Sequence, residues 1–278
     1  MIKISKKDAI AIFAFNRPSH LRRVLISLEN YKISNAYVFL DGPKNTKDKT
    51  LQSEIIFQIK FNPFIKLKLI RSKKNKGLAN SILQGINFLS KKYENIIILE
   101  DDCIPRKEFF LFINQVKKRS YFKKNYSPIC GYQFPQLIDK KSYLQSVLLN
   151  YFNPWGWCVN SNLWTDYIKC LKKGHIKYND KLMSKISKIC KKKENKKIWS
   201  KKFMEFNLMK NKKIIYPNKS LIKNIGFDGS GINSSITNRF NTIYSKINLK
   251  SAKINFKYDK RLQIKQKKIL MESIKYFF

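Results

Sequence analysis

Residues 96–102 read IIILEDD, a short apolar run that ends in three adjacent acids. A run of this kind is typical of a strand buried on both faces of a parallel sheet. Three neighbouring carboxylates repel one another, and a hard divalent cation relieves that repulsion. Mg²⁺ or Mn²⁺ prefers one or two carboxylates together with phosphate oxygens. Glu100, Asp101 and Asp102 therefore indicate a metal site, and the alternative is a solvated acidic turn before the next helix.

Similar patterns precede this stretch. Apolar residues predict strands at 9–15, 36–40 and 66–70, and helical spacing predicts a helix after each strand. Ser19 is expected to cap the first of these helices. Alternating strands and helices with short connections predict an α/β fold, in which helices flank a mainly parallel sheet.

Two further polar clusters follow predicted strands. Asp41 ends the second strand, and Lys76 with Gly77 opens the helix after the third. Ligands bind at the carboxyl ends of parallel strands, and a helix N-terminus attracts phosphate. The alternatives are a turn-forming aspartate and an ordinary basic loop.

The composition is strongly basic, with 58 Lys and Arg against 18 Asp and Glu and a formal net charge of +40. This balance is typical of proteins that contact nucleic acid, an anionic membrane or an anionic substrate. The lysines are scattered along the chain, so a compositional bias explains the charge equally well. No nucleic-acid-binding motif is present, and we expect no nucleic-acid partner.

The cysteines and the apolar runs indicate a cytoplasmic protein. Five cysteines occur without a CxxC pair, which favours free thiols in a reducing compartment over a zinc or redox site. No apolar run approaches the ~18 residues of a membrane span. Residues 9–15 follow a basic segment, but they lack a signal-peptide cleavage site and are expected to be a buried strand.

An ordered set of motifs carries a resemblance to a known family. Residues 13–18, 39–43, 75–77 and 98–102 resemble, in this order, the motifs of GT-A fold glycosyltransferases. The acidic motif is similar to that of the Glu-Asp-Asp type N-acetylglucosaminyltransferases. The resemblance covers roughly residues 8–235. It implies a GT-A, Rossmann-like sheet, a nucleotide-sugar donor and a glycan or lipid-linked acceptor.

The resemblance implies roles for residues near the donor. Asp102 would ligate Mn²⁺ or Mg²⁺, while Glu100 and Asp101 would face the ribose and the sugar. Arg17 would lie near the diphosphate and Asp41 would meet the nucleobase. The donor pocket would also include Phe15, Lys76 and Gly77.

Later residues resemble those of bacterial surface-polysaccharide sugar transferases, around Trp155 to Trp157 and in the loop at 224–229. In relatives a late carboxylate deprotonates the acceptor hydroxyl. Glu205 is the expected base and Asp228 the second candidate, although Glu205 could equally be a solvated helix-surface acid. Trp155 and Trp157 either form a platform for the acceptor sugar or belong to the core. Relatives carry a metal-binding histidine after this loop. This chain lacks it, and an oxygen of Asn233 could serve as a weaker ligand.

The domain organisation follows from the same resemblance. Residues 1–240 are expected to form the glycosyltransferase domain, with a donor half at about 1–125 and an acceptor half at about 126–240. Residues 241–278 are expected to be a basic extension, and the C-terminal part as a whole to be rich in helix. This extension would dock on anionic lipid at the inner face of the cytoplasmic membrane, or would be a solvated basic helix.

Direct displacement with inversion at the anomeric carbon is the reaction that the resemblance favours. A nucleotidyltransferase on a similar sheet is a second interpretation, although it would want a Gly-rich loop where residues 16–19 have no glycine. The sequence also allows a basic nucleic-acid-binding protein or an inactive relative of the glycosyltransferases.

Overall fold

Strands and helices alternate through the first hundred residues. They are β1 (Asp8–Ala14), α1 (Pro18–Asn30), β2 (Asn35–Leu40), α2 (Thr46–Lys60), β3 (Lys66–Arg71), α3 (Gly77–Ser90) and β4 (Asn95–Glu100). The strands and helices predicted for this half are confirmed, with ends that differ by a few residues. The computed structural model describes residues 2, 4–138, 143–192, 199–230, 236–242, 248–254 and 256–277.

Local contacts fix the starts of the first two helices. α1 begins at Pro18 with Arg17 in the N-cap position, so the expectation that Ser19 caps this helix was wrong. Proline fits the first helical position because it lacks only an N–H that has no intrahelical partner there. α2 begins before its apolar positions because the side chain of Asn45 accepts a hydrogen bond from the Asp48 N–H at 2.9 Å.

The second half contains shorter strands and more helix. Its strands are β5 (Cys103–Pro105), β6 (Ile129–Cys130), β7 (Tyr143–Leu149), β8 (Trp157–Asn160), β9 (Ile214–Pro217), β10 (Ile222–Asn224) and β11 (Asn248–Lys253). Its helices are α4 (Lys107–Lys117), α5 (Ser120–Asn125), α6 (Ser161–Lys172), α7 (Lys181–Lys192), α8 (Trp199–Met209) and α9 (Lys260–Phe277), together with a 3₁₀ turn at Pro135–Leu137.

The described strands form one large sheet and one small pair. The order in the large sheet is β11-β7-β9-β6-β8-β4-β1-β2-β3. Strands β3, β2, β1 and β4 are parallel neighbours, and β8 joins β4 in the antiparallel direction. β5 pairs with β10, which brings Asn224 opposite Cys103. The sheet therefore has a parallel half, whose carboxyl ends share one edge, and a mixed half.

Close packing fixes α3 on the parallel half. All residues of β1 are buried. A Cβ on Gly85 of α3 would collide with the ring of Phe13 and would also crowd Phe39, so glycine at this position lets the helix approach the sheet. The start of α3 is thereby held beside the ends of β2 and β3.

The C-terminal segment is integrated with the sheet instead of forming a separate tail. β11 pairs with β7, and α9 docks by hydrogen bonds from buried glutamines. Gln263 accepts from the Asn150 N–H at 2.7 Å, and Gln266 donates to the Tyr151 carbonyl at 3.0 Å. In the part of the chain that the structure describes, no helix has the length and apolar character needed to cross a bilayer.

Candidate functional site

The polar clusters of the first half meet at the carboxyl edge of the parallel strands. The residue after each strand continues the ladder to its neighbour. The Asp101 N–H donates to the Phe13 carbonyl at 2.9 Å, and the Asp41 N–H donates to the Ala14 carbonyl at 3.1 Å. The ends of β4, β1 and β2 therefore lie side by side, as the sequence predicted for parallel strands.

Arg17 compensates the acids that follow β4. Its guanidinium pairs with Asp101 and, at 2.9 Å, with Oδ2 of Asp102. The backbone N–H of Phe15 lies 3.4 Å from the other oxygen of Asp101. The short turn between β1 and α1 thus supplies both a charge and a backbone donor to the acidic triplet. The sequence did not reveal this pairing.

The protonation of Glu100 and Asp101 is strongly perturbed. Burial, together with the nearby carboxylates of Asp102 and Asp101, raises the pKa of Glu100 to about 8. Burial also raises the pKa of Asp101 to about 6, although the positive charge of Arg17 opposes the shift. One guanidinium against three carboxylates leaves two negative charges when all are ionised. The site therefore favours a proton or an added cation.

Asp41 fastens the loop before α3 to the end of β2. One oxygen of its buried carboxylate accepts the N–H groups of Gly42 and Lys76, both at 2.9 Å. The other accepts from the Gly77 N–H at 2.9 Å and the Asn75 side chain at 3.2 Å. A carboxylate has about four lone-pair positions, so these contacts occupy its accepting capacity.

The two glycines beside Asp41, Gly42 and Gly77, suit their positions for different reasons. A Cβ on Gly42 would collide with the backbone of Lys74 and Asn75, so glycine lets the loop cross here. Gly77 has a φ of 77°, in the left-handed region that glycine adopts easily, and the space around its Cα is open.

A cleft of about 210 Å³ lies between α3 and the ends of β2 and β3. Its lining includes two aromatic rings, two cations, one acid and two small or amide side chains, contributed by Phe39, Phe88, Arg71, Lys76, Asp41, Ser72 and Gln84. The ammonium of Lys76 donates to the side chain of Gln84 at 2.8 Å. The arrangement suits a flat, partly apolar ligand that carries negative charge.

The loop after β10 lies against Asp102. The Ile225 N–H donates to the Asp102 carbonyl at 2.9 Å, and a Cβ on Gly226 would overlap the Asp102 carboxylate. Asp228, which is exposed, lies 3.1 Å from Nε2 of the buried His20. Desolvation opposes ionisation of Asp228, but hydrogen bonds from Ser230 and the charge of His20 outweigh it and lower the pKa of this carboxyl.

The two tryptophans of the aromatic turn have different environments. Trp157 has no exposed surface and packs against Phe152 and Trp199. This placement corrects the expectation for Trp157, because a sugar cannot stack on a ring that the core encloses. Trp155 is only half-buried and lies 5.2 Å from the Phe227 ring, beside the loop that carries Asp228. Trp155 therefore stays a candidate for acceptor binding.

Glu205 lies in a different environment from Asp228. Its buried carboxylate pairs with Lys201 at 2.6 Å and with Lys202 at 2.9 Å, both on its own helix. Burial raises the pKa of Tyr167 on α6, and the nearby charge of Glu205 raises it further. Glu205 is thus neither a solvated surface acid nor, within the described residues, bonded to the acidic triplet.

The metal-site expectation concerns residues that are only partly described. Asn233 lies outside the described residues. Within those that are described, no group of three or more His, Cys, Asp or Glu side chains could hold a metal ion. An ion shared with phosphate oxygens needs only one or two carboxylates, and the uncompensated charge beside Asp102 fits such an ion.

Gln52 is a buried polar residue beside the candidate site that the sequence did not point to. Its side-chain amide is fully buried and donates to the carbonyls of Phe15 at 3.0 Å and Asp41 at 2.8 Å. It therefore links the ends of β1 and β2 beneath the site. The signal was available, because Gln52 shares its helical face with Ile55 and Ile59, where an apolar residue is expected.

The chain matches no protein-family model and no curated protein sequence. Among solved structures, it resembles the mannosyltransferase PcManGT from Pyrobaculum calidifontis in complex with GDP-Man and Mn²⁺, with a TM-score of 0.44 and 10% identity over 58% of this chain and 46% of that one. It also resembles A197 from STIV, with a TM-score of 0.38 and 10% identity over 77% of this chain and 83% of that one. The chain spans less than half the length of the mannosyltransferase. These TM-scores are too low to support an argument, so the description of the fold rests on the strand order of the sheet and not on these similarities.

Replacing Asp41 by asparagine should destabilise the protein. A carboxamide places an NH₂ group against two N–H donors, whichever way it is turned. Buried polar groups are then left without hydrogen-bond partners, at a cost of about 1–3 kcal/mol. The free energy of unfolding from denaturant titration checks this. Asp166→Asn, at an exposed ion pair, is the control and should change stability by less than about 1 kcal/mol. Equal stability of Asp41→Asn and the wild type would contradict the proposed role of this carboxylate.

Replacing Glu100 by glutamine should change how stability depends on pH in the metal-free protein. Between the ordinary pKa of 4.5 and about 8, the folded chain holds a proton on Glu100 that the unfolded chain has released. Stability therefore falls as pH rises through this window and no further above it. Glu100→Gln removes that loss, so its advantage over the wild type should be largest near pH 8.

Melting temperatures across this pH window measure the effect. Glu54→Gln, at an exposed position of α2, controls for the loss of one carboxylate. A pH profile of Glu100→Gln parallel to that of the wild type would show that Glu100 titrates alike in both states. The raised pKa of Asp101 leaves some pH dependence below about 6 in either protein.

Proposed function

We propose that this protein is a glycosyltransferase, which moves a sugar from a nucleotide-sugar donor to a hydroxyl of a glycan or lipid-linked acceptor. One observation carries the proposal. Asp101 and Asp102, which follow β4 and pair with Arg17, lie on the same edge as the cleft beside Lys76. A nucleoside diphosphate needs these two neighbouring environments, one for its base and one for its charged phosphates.

The nucleoside is assigned to the cleft. Phe39 and Phe88 offer apolar surface to a base, and the cations Arg71 and Lys76 favour a ligand with negative charge. The open space at Gly77, at the start of α3, allows a ligand to approach the backbone. We assign to Asp41 the positioning of this loop, because its four accepted hydrogen bonds leave little capacity for a base.

The diphosphate is assigned to the neighbourhood of Arg17 and Asp102. We propose that a divalent cation, Mn²⁺ or Mg²⁺, is held by the Asp102 carboxylate and by donor phosphate oxygens, as the uncompensated charge of the triplet supports. Such an ion would neutralise charge on the departing diphosphate. Arg17 would stabilise the same charge from the β1 side. Glu100 and Asp101 would then face the ribose and the sugar.

The acceptor is assigned to the side of Asp102 against which the loop after β10 lies. Asp228 is our candidate base, because the preceding residues Ile225 and Gly226 lie directly against Asp102. The acceptor oxygen would bond to the anomeric carbon while the bond to the donor phosphate breaks. The hydroxyl proton would pass to Asp228 and the nucleoside diphosphate would leave, with inversion.

Trp155 supplies a flat surface beside this loop for the acceptor sugar. The sequence resemblance to bacterial surface-polysaccharide transferases supports a growing surface glycan as the acceptor.

The donor site can be tested by thermal unfolding with a panel of nucleoside diphosphates, with and without Mn²⁺. A ligand at ~100 times its dissociation constant stabilises by about 2.7 kcal/mol, which gives a clear shift. We expect one nucleotide to raise the melting temperature, with a larger effect when Mn²⁺ is present. Asp102→Ala should lose the Mn²⁺-dependent part because it removes the proposed ligand.

Asp166→Ala removes an exposed carboxylate elsewhere and should keep the full shift. The proposal is overturned if no nucleoside diphosphate stabilises the wild type and no nucleotide sugar from a broad panel is transferred or hydrolysed.

The identity of the general base that deprotonates the acceptor can be tested with a nucleotide-sugar donor that the wild type uses. Asp228→Asn should lower the transfer rate by about 10²–10⁴, the range for removing a general base, and should keep the nucleotide-induced thermal shift. Glu205→Gln should affect stability through its ion pairs more than transfer. A large loss of rate in Glu205→Gln alone, at a temperature where it is folded, would assign the base to α8.

A further inference from the structure

Three phenylalanines are exposed together where α2 ends and the chain leads into β3. We call Phe57, Phe61 and Phe64 the aromatic patch; their exposed fractions are 63%, 65% and 71%. The ring centroids of Phe57 and Phe61 are 4.8 Å apart. Exposed aromatic rings of this size, grouped in one segment, indicate a contact surface.

Hydrogen bonds hold the patch in its exposed position. The side-chain oxygen of Asn62 accepts the N–H groups of Phe64 at 3.0 Å and Ile65 at 2.7 Å. Its amide group donates to Glu29 of α1 at 2.7 Å. Ile65 is buried, so the chain is anchored directly after Phe64. These contacts of Asn62 and Ile65 therefore hold Phe64 in a position exposed to solvent.

Two exposed lysines lie beside the patch, on a chain that is strongly basic as a whole. Lys60 directly precedes Phe61, Lys66 follows Phe64 by two residues, and both are exposed. Two acids, Glu29 and Glu54, are also near and balance these lysines, so attraction to an anionic surface rests on the formal net charge of +40 of the whole chain. Aromatic rings flanked by lysines are typical of surfaces that insert into the headgroup region of an anionic bilayer.

Two other occupants fit less well. A second copy of the chain would bring together two molecules of formal charge +40, which repel one another. Single-stranded nucleic acid would match the charge, but bases stack in parallel layers. The rings of Phe57 and Phe61 are packed against each other at 44°, which does not offer such a platform.

We infer that the aromatic patch inserts into the surface of an anionic bilayer, with Lys60 and Lys66 against lipid phosphates. This membrane contact differs from the C-terminal one expected from the sequence. It does not depend on the donor site, so it can fail or hold independently of the proposed transferase activity.

Vesicle co-sedimentation tests the inference. The full chain is mixed with vesicles of phosphatidylcholine alone, or of phosphatidylcholine with phosphatidylglycerol. We expect binding to the anionic vesicles only, weakened by added salt. The variant Phe57→Ser/Phe61→Ser/Phe64→Ser should reduce the partition coefficient roughly tenfold or more, because it removes the apolar contribution of three rings. Its melting temperature should stay close to that of the wild type, since these side chains pack little.

Ile264→Ser on α9 is the matched control, since Ile264 is 62% exposed among lysines of the C-terminal helix. It should bind anionic vesicles like the wild type. A second readout is Phe61→Trp, whose fluorescence should shift to the blue with anionic vesicles. The inference is overturned if the triple variant binds like the wild type, or if Ile264→Ser alone abolishes binding. It is also overturned if the triple variant instead loses self-association or binding to single-stranded DNA.

Discussion

Arg17 joins the ends of β1 and β4 by pairing with Asp101 and Asp102, and the geometry of the site depends on this contact. Without it, three adjacent carboxylates would lie at a buried strand end with their repulsion uncompensated. Removing one partner of a buried ion pair costs about 3–5 kcal/mol, because the remaining charge is left in a poor solvent. The pairing also fixes the chain just before α1, since Arg17 is the N-cap residue and Pro18 starts the helix.

Asp41 also links two segments through its carboxylate, one strand further along the edge of the sheet. Its carboxylate gathers backbone N–H groups from the loop before α3, so the loop is ordered before any ligand arrives. Gln52 then connects the ends of β1 and β2 from below. Because these bonds are internal, the cleft and the acidic triplet keep a fixed relation to each other. A rigid site loses less conformational entropy when a ligand binds.

The sequence predicted the parallel half of the sheet well because burial leaves a direct trace in the apolar pattern. It predicted the polar contacts poorly because a pattern shows which residues are polar but not which partners they meet. Arg17 was expected beside a diphosphate, and its pairing with two acids was not foreseen. Trp155 and Trp157 are alike in sequence, yet only the strand pairing of β8 shows that one of them points into the core. Glu205 looked free on a helix, whereas neighbouring lysines engage it.

The charge at the triplet connects the fold to the proposed chemistry. Arg17 cancels part of the negative charge. Because the pKa of Glu100 is raised, a proton on Glu100 can cancel more of that charge near neutral pH. A divalent cation bound with a donor diphosphate would compete with that proton, so binding of the two would release it. No histidine follows His175 in this chain, so on the proposed function carboxylates would be the main protein ligands of a metal ion. On the proposed function, the protein alone would then hold the ion weakly, and the phosphate oxygens of the donor would complete its coordination. Metal and donor would therefore bind together, each raising the affinity for the other.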